Sequence, residues 1–377
     1  MDFNCTEEQH AIADLADSIF RELTTDERLE EFDHSDEPFM KDIWDQCVES
    51  GLHSLAVQEQ AGGFGLGMTE LMLVLEAQGR HLAQVPLWQH QLAVATLHEF
   101  ASDEYQMLIE EATSAEKIVT FSLDSAVDAP GVQVDAKEFR DGYLLNGNVL
   151  SMPYAKESDA ALFLVRFKKG VRLVIVRLDK SGIKFIPGNI TNGGPIANLL
   201  LEDVYITDND VLDVKAISWL EQRLIAALAS VQLGVSAEQI RRTVEYVNER
   251  IQFDRAIGTF QAVQMTMADT HIAVENLRSV LWQLVYRLDA GLPAESEALA
   301  CKYFANETGH LVGHKAQHVH GGVGVDLSYP IFRYLYWSRT LGVTQGGSLS
   351  ILERLGDWLS DNNTLGWKYD LEEPNAI

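Results

Sequence analysis

The sequence predicts an α+β protein: a helical N-terminal domain over 1–115, a middle β-barrel or sheet domain over 116–215 and a C-terminal four-helix bundle over 216–377. Three observations carry the prediction. Helical hydrophobic spacing fills the first third, short β-type runs cluster between Ile118 and Ile206, and helical spacing returns after Ala216 and persists.

In the first unit, Thr6-Glu7-Glu8-Gln9 carries a capping-box pattern, with Thr6 as N-cap and Gln9 three residues on; Ile12, Leu15, Ala16 and Ile19 then form an apolar stripe. The Gly-rich stretch Gly62-Gly63-Phe64-Gly65-Leu66-Gly67 reads as a loop before a second helix, Thr69 to His81, which turns Leu71, Met72, Leu75 and Ala77 inward.

In the middle unit, strands are expected at Ile118–Phe121, Tyr143–Leu145, Ala161–Val165, Val171–Val176 and Val204–Ile206. Asn146-Gly147, Lys169-Gly170 and Pro187-Gly188 are expected to supply turns. In the last unit, Leu220, Leu224, Leu228, Val231 and Val235 share one face of a long helix ending near Arg250, and further helices are expected over 261–289, 294–319 and 347–360.

The composition narrows the function. With 29 basic and 56 acidic residues the net charge is −27, which repels nucleic acid and anionic membrane surfaces, so neither is an expected partner. Any anionic ligand needs local Arg, Lys or helix N-termini to overcome that field. Cys5, Cys47 and Cys301 show no CxxC spacing and read as reduced packing residues. The opening residues lack a signal-peptide pattern and no long apolar run follows, so a cytoplasmic location is expected. His310, His314 and His318 share a helix face, but no matching carboxylate or Cys cluster accompanies them and no metal is expected.

Several local sequences together resemble the acyl-CoA dehydrogenase family over nearly the whole chain. Ser50-Gly51-Leu52 through Gly65 is similar to its Gly-Leu, Pro-Glu-Glu-Tyr-Gly-Gly block, with Gln58 in place of proline. Arg250-x-x-Phe253, Ile257 and Gln261 resemble its Arg-x-x-Phe-Gly signature, with Asp254 in place of glycine. His318 through Gly321, Gly322 and Gly324 resembles its Gln-x-x-Gly-Gly-x-Gly turn, followed by Tyr329-Pro330.

The resemblance implies an acyl-CoA dehydrogenase-like fold, FAD as cofactor, an acyl-CoA substrate and an electron-accepting flavoprotein. A guanidinium clamps a diphosphate well, and glycine amides approach phosphate closely, so Arg250, Phe253, Gln261, His318, Gly321, Gly322 and Gly346 are the cofactor-binding candidates. In family members such elements grip the ADP half of a neighbouring subunit's FAD.

The catalytic carboxylate that the family places near here is replaced by Gln345, whose amide cannot accept a proton near neutral pH. Glu221, one turn before Leu224 on the long helix, is the alternative base. Phe121-Ser122-Leu123 and Ser151-Met152-Pro153 stand where the family contacts the flavin, without the indole and hydroxyl it uses there.

Loss of base and flavin contacts with retention of the ADP-side residues implies a partner chain: a second acyl-CoA dehydrogenase-like subunit in an α2β2 heterotetramer, acting in lipid metabolism on bulky, steroid-derived acyl-CoA as in steroid degradation. A homomeric dehydrogenase using Glu221, a flavin monooxygenase and a non-catalytic homologue remain open alternatives.

Overall fold

A computed structural model describes residues 5–127 and 131–362. The last fifteen residues of the expected third unit, 363–377, lie outside the described residues. Six helices come first: α1 (Glu7–Leu23), α2 (Asp26–Asp33), α3 (Lys41–Glu49), α4 (Met68–His81), α5 (Leu87–Phe100) and α6 (Gln106–Thr113). Thr6 and Gln9 close the capping box at the start of α1, each side chain answering the other's backbone N–H. Leu15, expected on the inner stripe of α1, is exposed, and the stripe instead runs through Ala16 and Phe20.

The middle of the chain forms a seven-stranded sheet: β1 (Val119–Ser122), β2 (Gln133–Phe139), β3 (Gly142–Pro153), β4 (Ala160–Phe167), β5 (Gly170–Arg177), β6 (Ile183–Asn189) and β7 (Pro195–Thr207). The order is β1-β4-β2-β3-β7-β6, with β5 on the free side of β4. Two expected turns are strands instead. Asn146-Gly147 lies inside β3 at a bulge, where Gly147 has φ +133° and an added Cβ would sit 1.9 Å from the Gln133 carbonyl oxygen. Pro187-Gly188 lies in β6 at the sheet edge, the position where a missing N–H costs no ladder bond. Its neighbours are mostly exposed, which removes the alternating apolar signal.

Helix returns with α7 (Lys215–Glu249), a short hairpin of β8 (Ile251–Gln252) and β9 (Arg255–Ala256), then α8 (Gln261–Asp289), α9 (Glu295–His320), α10 (Ile331–Val343) and α11 (Ser348–Asn362). The N-terminal helices and this bundle share one apolar core, while the sheet interior holds a second built around Phe163, Val174 and Leu199. Glycine fixes how closely α4 and α7 pack: an added Cβ would lie 2.0 Å from the Val231 carbonyl oxygen at Gly79 and 1.9 Å from that of Glu76 at Gly234. That contact brings the inner face of α7 against the sheet and the end of α10. Among the described residues no helix is long and apolar enough to cross a membrane.

Candidate active-site remnant and cofactor half-site

The turn after α10 places Gln345 in the left-handed region, φ +58°, followed by Gly346 at +98°. The Gln345 backbone N–H donates to Asp124 Oδ1 at 3.0 Å, and its fully buried side chain donates from Nε2 to Glu221 Oε1 at 2.8 Å. Arg354 Nη2 donates to the same Glu221 oxygen, also at 2.8 Å. The two residues singled out from the sequence as base position and alternative base are thus one hydrogen-bonded pair. Glu221 is held by an amide and a guanidinium, an arrangement that favours a fixed ion pair over proton abstraction. Gln345 Oε1 is buried with no hydrogen-bond partner.

Beneath this turn lies a residue that sequence reasoning missed. Lys302 is fully buried on α9; its Nζ donates to Asn306 Oδ1 at 2.7 Å and to the Leu341 carbonyl at 2.8 Å. Asn306 Nδ2 in turn donates to the Gly346 carbonyl at 3.1 Å. Burial pushes the Lys302 amine down to about 7, partly opposed by the charge of Asp124. The available signal was a Lys and an Asn four residues apart among Ala298, Cys301 and Ala305 on the buried face of a helix.

The cavity bounded by α4, α5, α7, α10 and the sheet is small, about 100 Å³. That suits a few waters and falls well below the ~300 Å³ at which ordinary ligand pockets begin. Trp88, Phe121, Tyr154, Leu224 and Trp337 fill it, with the Trp88 and Phe121 rings edge-on at 5.8 Å and Gln84 Nε2 donating to the Tyr154 hydroxyl at 3.2 Å. The sheet groups facing it are committed within the chain. Ser151, at φ +52°, donates its N–H to Asn198 Oδ1 at 2.9 Å, and the Pro153 carbonyl accepts from Thr120 Oγ1 at 2.8 Å. These residues do not fit an isoalloxazine ring.

The other candidates face outward. Arg250 caps α7 with extended backbone, and its carbonyl accepts from Ile257 N–H at 2.9 Å, which closes the β8–β9 hairpin. Phe253 and Asp254 form the hairpin tip at φ +54° and +61°; aspartate tolerates the left-handed region where glycine was expected. Phe253 is 86% exposed, and Arg250, Gln261 and His318 are exposed as well. Arg250 has no carboxylate within ion-pair distance among the described residues, although the chain is strongly acidic.

The end of α9 reaches the end of α7 through Tyr246, whose ring stacks on buried His320 at 4.2 Å and whose hydroxyl donates to the His320 carbonyl at 3.5 Å. Gly321 and Gly322 lie there, and a Cβ on either would meet open space. Arg250, Phe253, Gly321 and Gly322 are thus an outward-facing set. Gly346 does not join it: the Asn306 contact puts it about fifteen residues of α9 away from Gly321, roughly 22 Å along the helix.

Comparison with known proteins agrees with this architecture. Residues 222–359 match the family described as acyl-CoA dehydrogenase, C-terminal domain, and residues 6–109 match acyl-CoA dehydrogenase, N-terminal domain. Among curated relatives, the chain is 32% identical to Acyl-CoA dehydrogenase FadE27 of Mycobacterium tuberculosis, over 96% of this chain and 99% of that protein. It is 29% identical to Acyl-CoA dehydrogenase FadE28 of the same organism, over 94% and 98%. Among solved structures it is similar to the ChsE4-ChsE5 complex from Mycobacterium tuberculosis, with 32% identity, TM-score 0.91 and coverage of 97% of this chain and 100% of that one. It is also similar to a Tcur3481-Tcur3483 steroid ACAD variant, with 34% identity, TM-score 0.89 and coverage of 95% and 99%. With its full-length likeness to FadE27 and matches at both ends of the chain, this protein belongs to the acyl-CoA dehydrogenase family.

Proposed function

We propose that the chain is the subunit without a catalytic base in a heteromeric, FAD-dependent acyl-CoA dehydrogenase, and that it grips the ADP half of an FAD whose flavin is seated by a second, unlike chain. The observation that carries this reading is the closed interior beside an open exterior. The base position holds a buried glutamine bonded to Glu221, whereas among the described residues the Arg250 side chain has no ion-pair partner, Phe253 is largely exposed, and a Cβ on Gly321 or Gly322 would meet open space.

In this assignment Arg250 clamps the pyrophosphate, Phe253 and Gln261 flank the adenosine, and the amides around Gly321 and Gly322 approach the phosphates without a Cβ in the way. His318 adds a donor beside them. When bound, FAD supplies the hydride acceptor for α,β-desaturation of an acyl-CoA thioester. The proton-abstracting carboxylate comes from the partner chain, since the amide of Gln345 cannot take that role and Glu221 is held by Arg354. A bulky, steroid-derived acyl group is the proposed substrate class, supported by the steroid ACAD and the two-component complex among the similar structures. An electron-accepting flavoprotein would reoxidise the cofactor.

Co-expression with a second acyl-CoA dehydrogenase-like chain tests the reading. The expected outcome is a mixed assembly by native mass, about one FAD per pair of unlike chains, and little FAD on this chain alone. A homotetramer of this chain carrying a full complement of FAD and desaturating an acyl-CoA would refute it and favour Glu221 as base.

A further inference from the structure

At one end of the sheet interior a cavity of about 250 Å³ opens to solvent. β2, the start of β3, the β4–β5 turn and Val211 enclose it, and Val211 bridges to Val174 of β5. The unusual residue is on β5. Gly170-Val171-Arg172-Leu173-Val174-Ile175-Val176 is apolar after its glycine except at Arg172. Side chains alternate along a strand, so Arg172 shares a face with Val174 and Val176 of the second core, and it pairs with Val165 of β4, another member of that core. A cation thus takes the last inward place of an apolar row.

Arg172 Nη1 donates to the Val171 carbonyl at 2.9 Å, and among the described residues the guanidinium makes no other hydrogen bond and no ion pair. The Lys169 ammonium, in the turn, makes neither. Among the described residues the lining carries three cations, Lys168, Lys169 and Arg172, and one carboxylate, Glu138, which Lys168 binds at 2.9 Å. Tyr143 and Phe167 meet edge to face at 5.0 Å and 89°, with the Tyr143 hydroxyl donating to Asp208 at 3.0 Å. Both rings are half-buried, as are Ala136 and Val211, so the cavity keeps apolar surface.

The chain carries −27 overall, so solubility does not call for this local excess of cations. A guanidinium turned toward an apolar core costs desolvation that an anion on it would offset. We propose that the mouth of the sheet binds a phosphate monoester carrying an aromatic group, as in a nucleoside monophosphate, with the phosphate on Arg172 and Lys169 and the ring against Tyr143 and Phe167. Two unpaired cations match a dianion better than a carboxylate, and the guanidinium fork engages two phosphate oxygens at once. The half-buried rings and Ala136 give the organic part an apolar seat. The volume lies near the ~300 Å³ at which ordinary ligand pockets begin, enough for a phosphate and one ring, with anything longer left in solvent. The site stands apart from the proposed FAD half-site, which lies on the β8–β9 hairpin and the ends of α7 and α9.

Ligand-observed NMR titration of the full chain with phenyl phosphate tests it, with inorganic phosphate and phenol as competitors. Phenyl phosphate is expected to bind saturably at roughly 0.1–10 mM, at least about threefold more tightly than either competitor, and to weaken as salt is raised. Arg172→Gln is expected to weaken it by roughly fivefold or more. Ala136→Leu, which fills the apolar seat and leaves both cations, is expected to bring phenyl phosphate down to the level of inorganic phosphate. Arg250→Ala is expected to change nothing here. Binding lost in that variant and kept in Arg172→Gln would put the ligand in the half-site and overturn the proposal. No saturable binding, or a competitor that matches phenyl phosphate on the unmodified chain, would overturn it as well.

Discussion

Replacing Lys302 by methionine is the sharpest test of the network under the Gln345 turn. In the folded chain burial moves this amine from 10.5 to about 7, so the unfolded state binds more protons between those values and stability rises with pH there. At about 1.4 kcal/mol per pH unit, the whole effect amounts to about 5 kcal/mol that opposes folding near and below neutrality. Between pH 7 and pH 9 the wild-type chain should recover about 2 kcal/mol of it. Lys302→Met removes this dependence, while leaving Asn306 Oδ1 and the Leu341 carbonyl without their donor at roughly 1–3 kcal/mol each. Urea unfolding of both proteins at pH 7 and pH 9 reads the difference directly. The stability gap between variant and wild type should shift toward the wild type by about 2 kcal/mol on going to pH 9. An identical pH response in the two proteins would refute the claim that the buried amine sheds its proton near neutrality.

Three further outcomes are expected. Arg250→Ala should lower FAD affinity of the co-expressed assembly by roughly 10-fold to 100-fold without changing its native mass, measured as flavin retained on dilution. Gln345→Glu should not confer desaturase activity on the chain alone, because it sets a second carboxylate beside Glu221. Repulsion of about 4 kcal/mol at a separation near 4 Å, with Arg354 shared between the two, should lower the melting temperature. Gly147→Ala should destabilise the chain by roughly 2–4 kcal/mol in urea unfolding, since a Cβ would lie 1.9 Å from the Gln133 oxygen at a φ of +133°.

Long periodic segments were legible in the sequence, and local conflicts of signal were not. Gln261–Asp289 shows its boundaries through spacing alone, whereas α10, with the sequence Ile-Phe-Arg-Tyr-Leu-Tyr-Trp, is rich in residues that favour strands and becomes a helix because tertiary packing buries Tyr334 and Trp337. Asn146-Gly147 carries the commonest hairpin signal, yet the strand continues through it by a bulge paired across to β7. The expected seats for the base, Gln345 and Glu221, were both visible as departures from a pattern. That they bond to one another was not, because 124 residues separate them and only the packing of α7 against the end of α10 brings them together. Lys302 escaped notice because one lysine in a helix usually lies at the surface.

The β8–β9 hairpin bears on how such a protein must be supplied. It lifts Phe253 to 86% exposure on two left-handed residues, a conformation that holds the aromatic ring out in water. If that ring is completed by an unlike chain, copies made in excess of the partner carry an uncovered sticky tip. Matched synthesis of the two polypeptides, with a surplus of neither, would then be a requirement of the fold as much as of the chemistry.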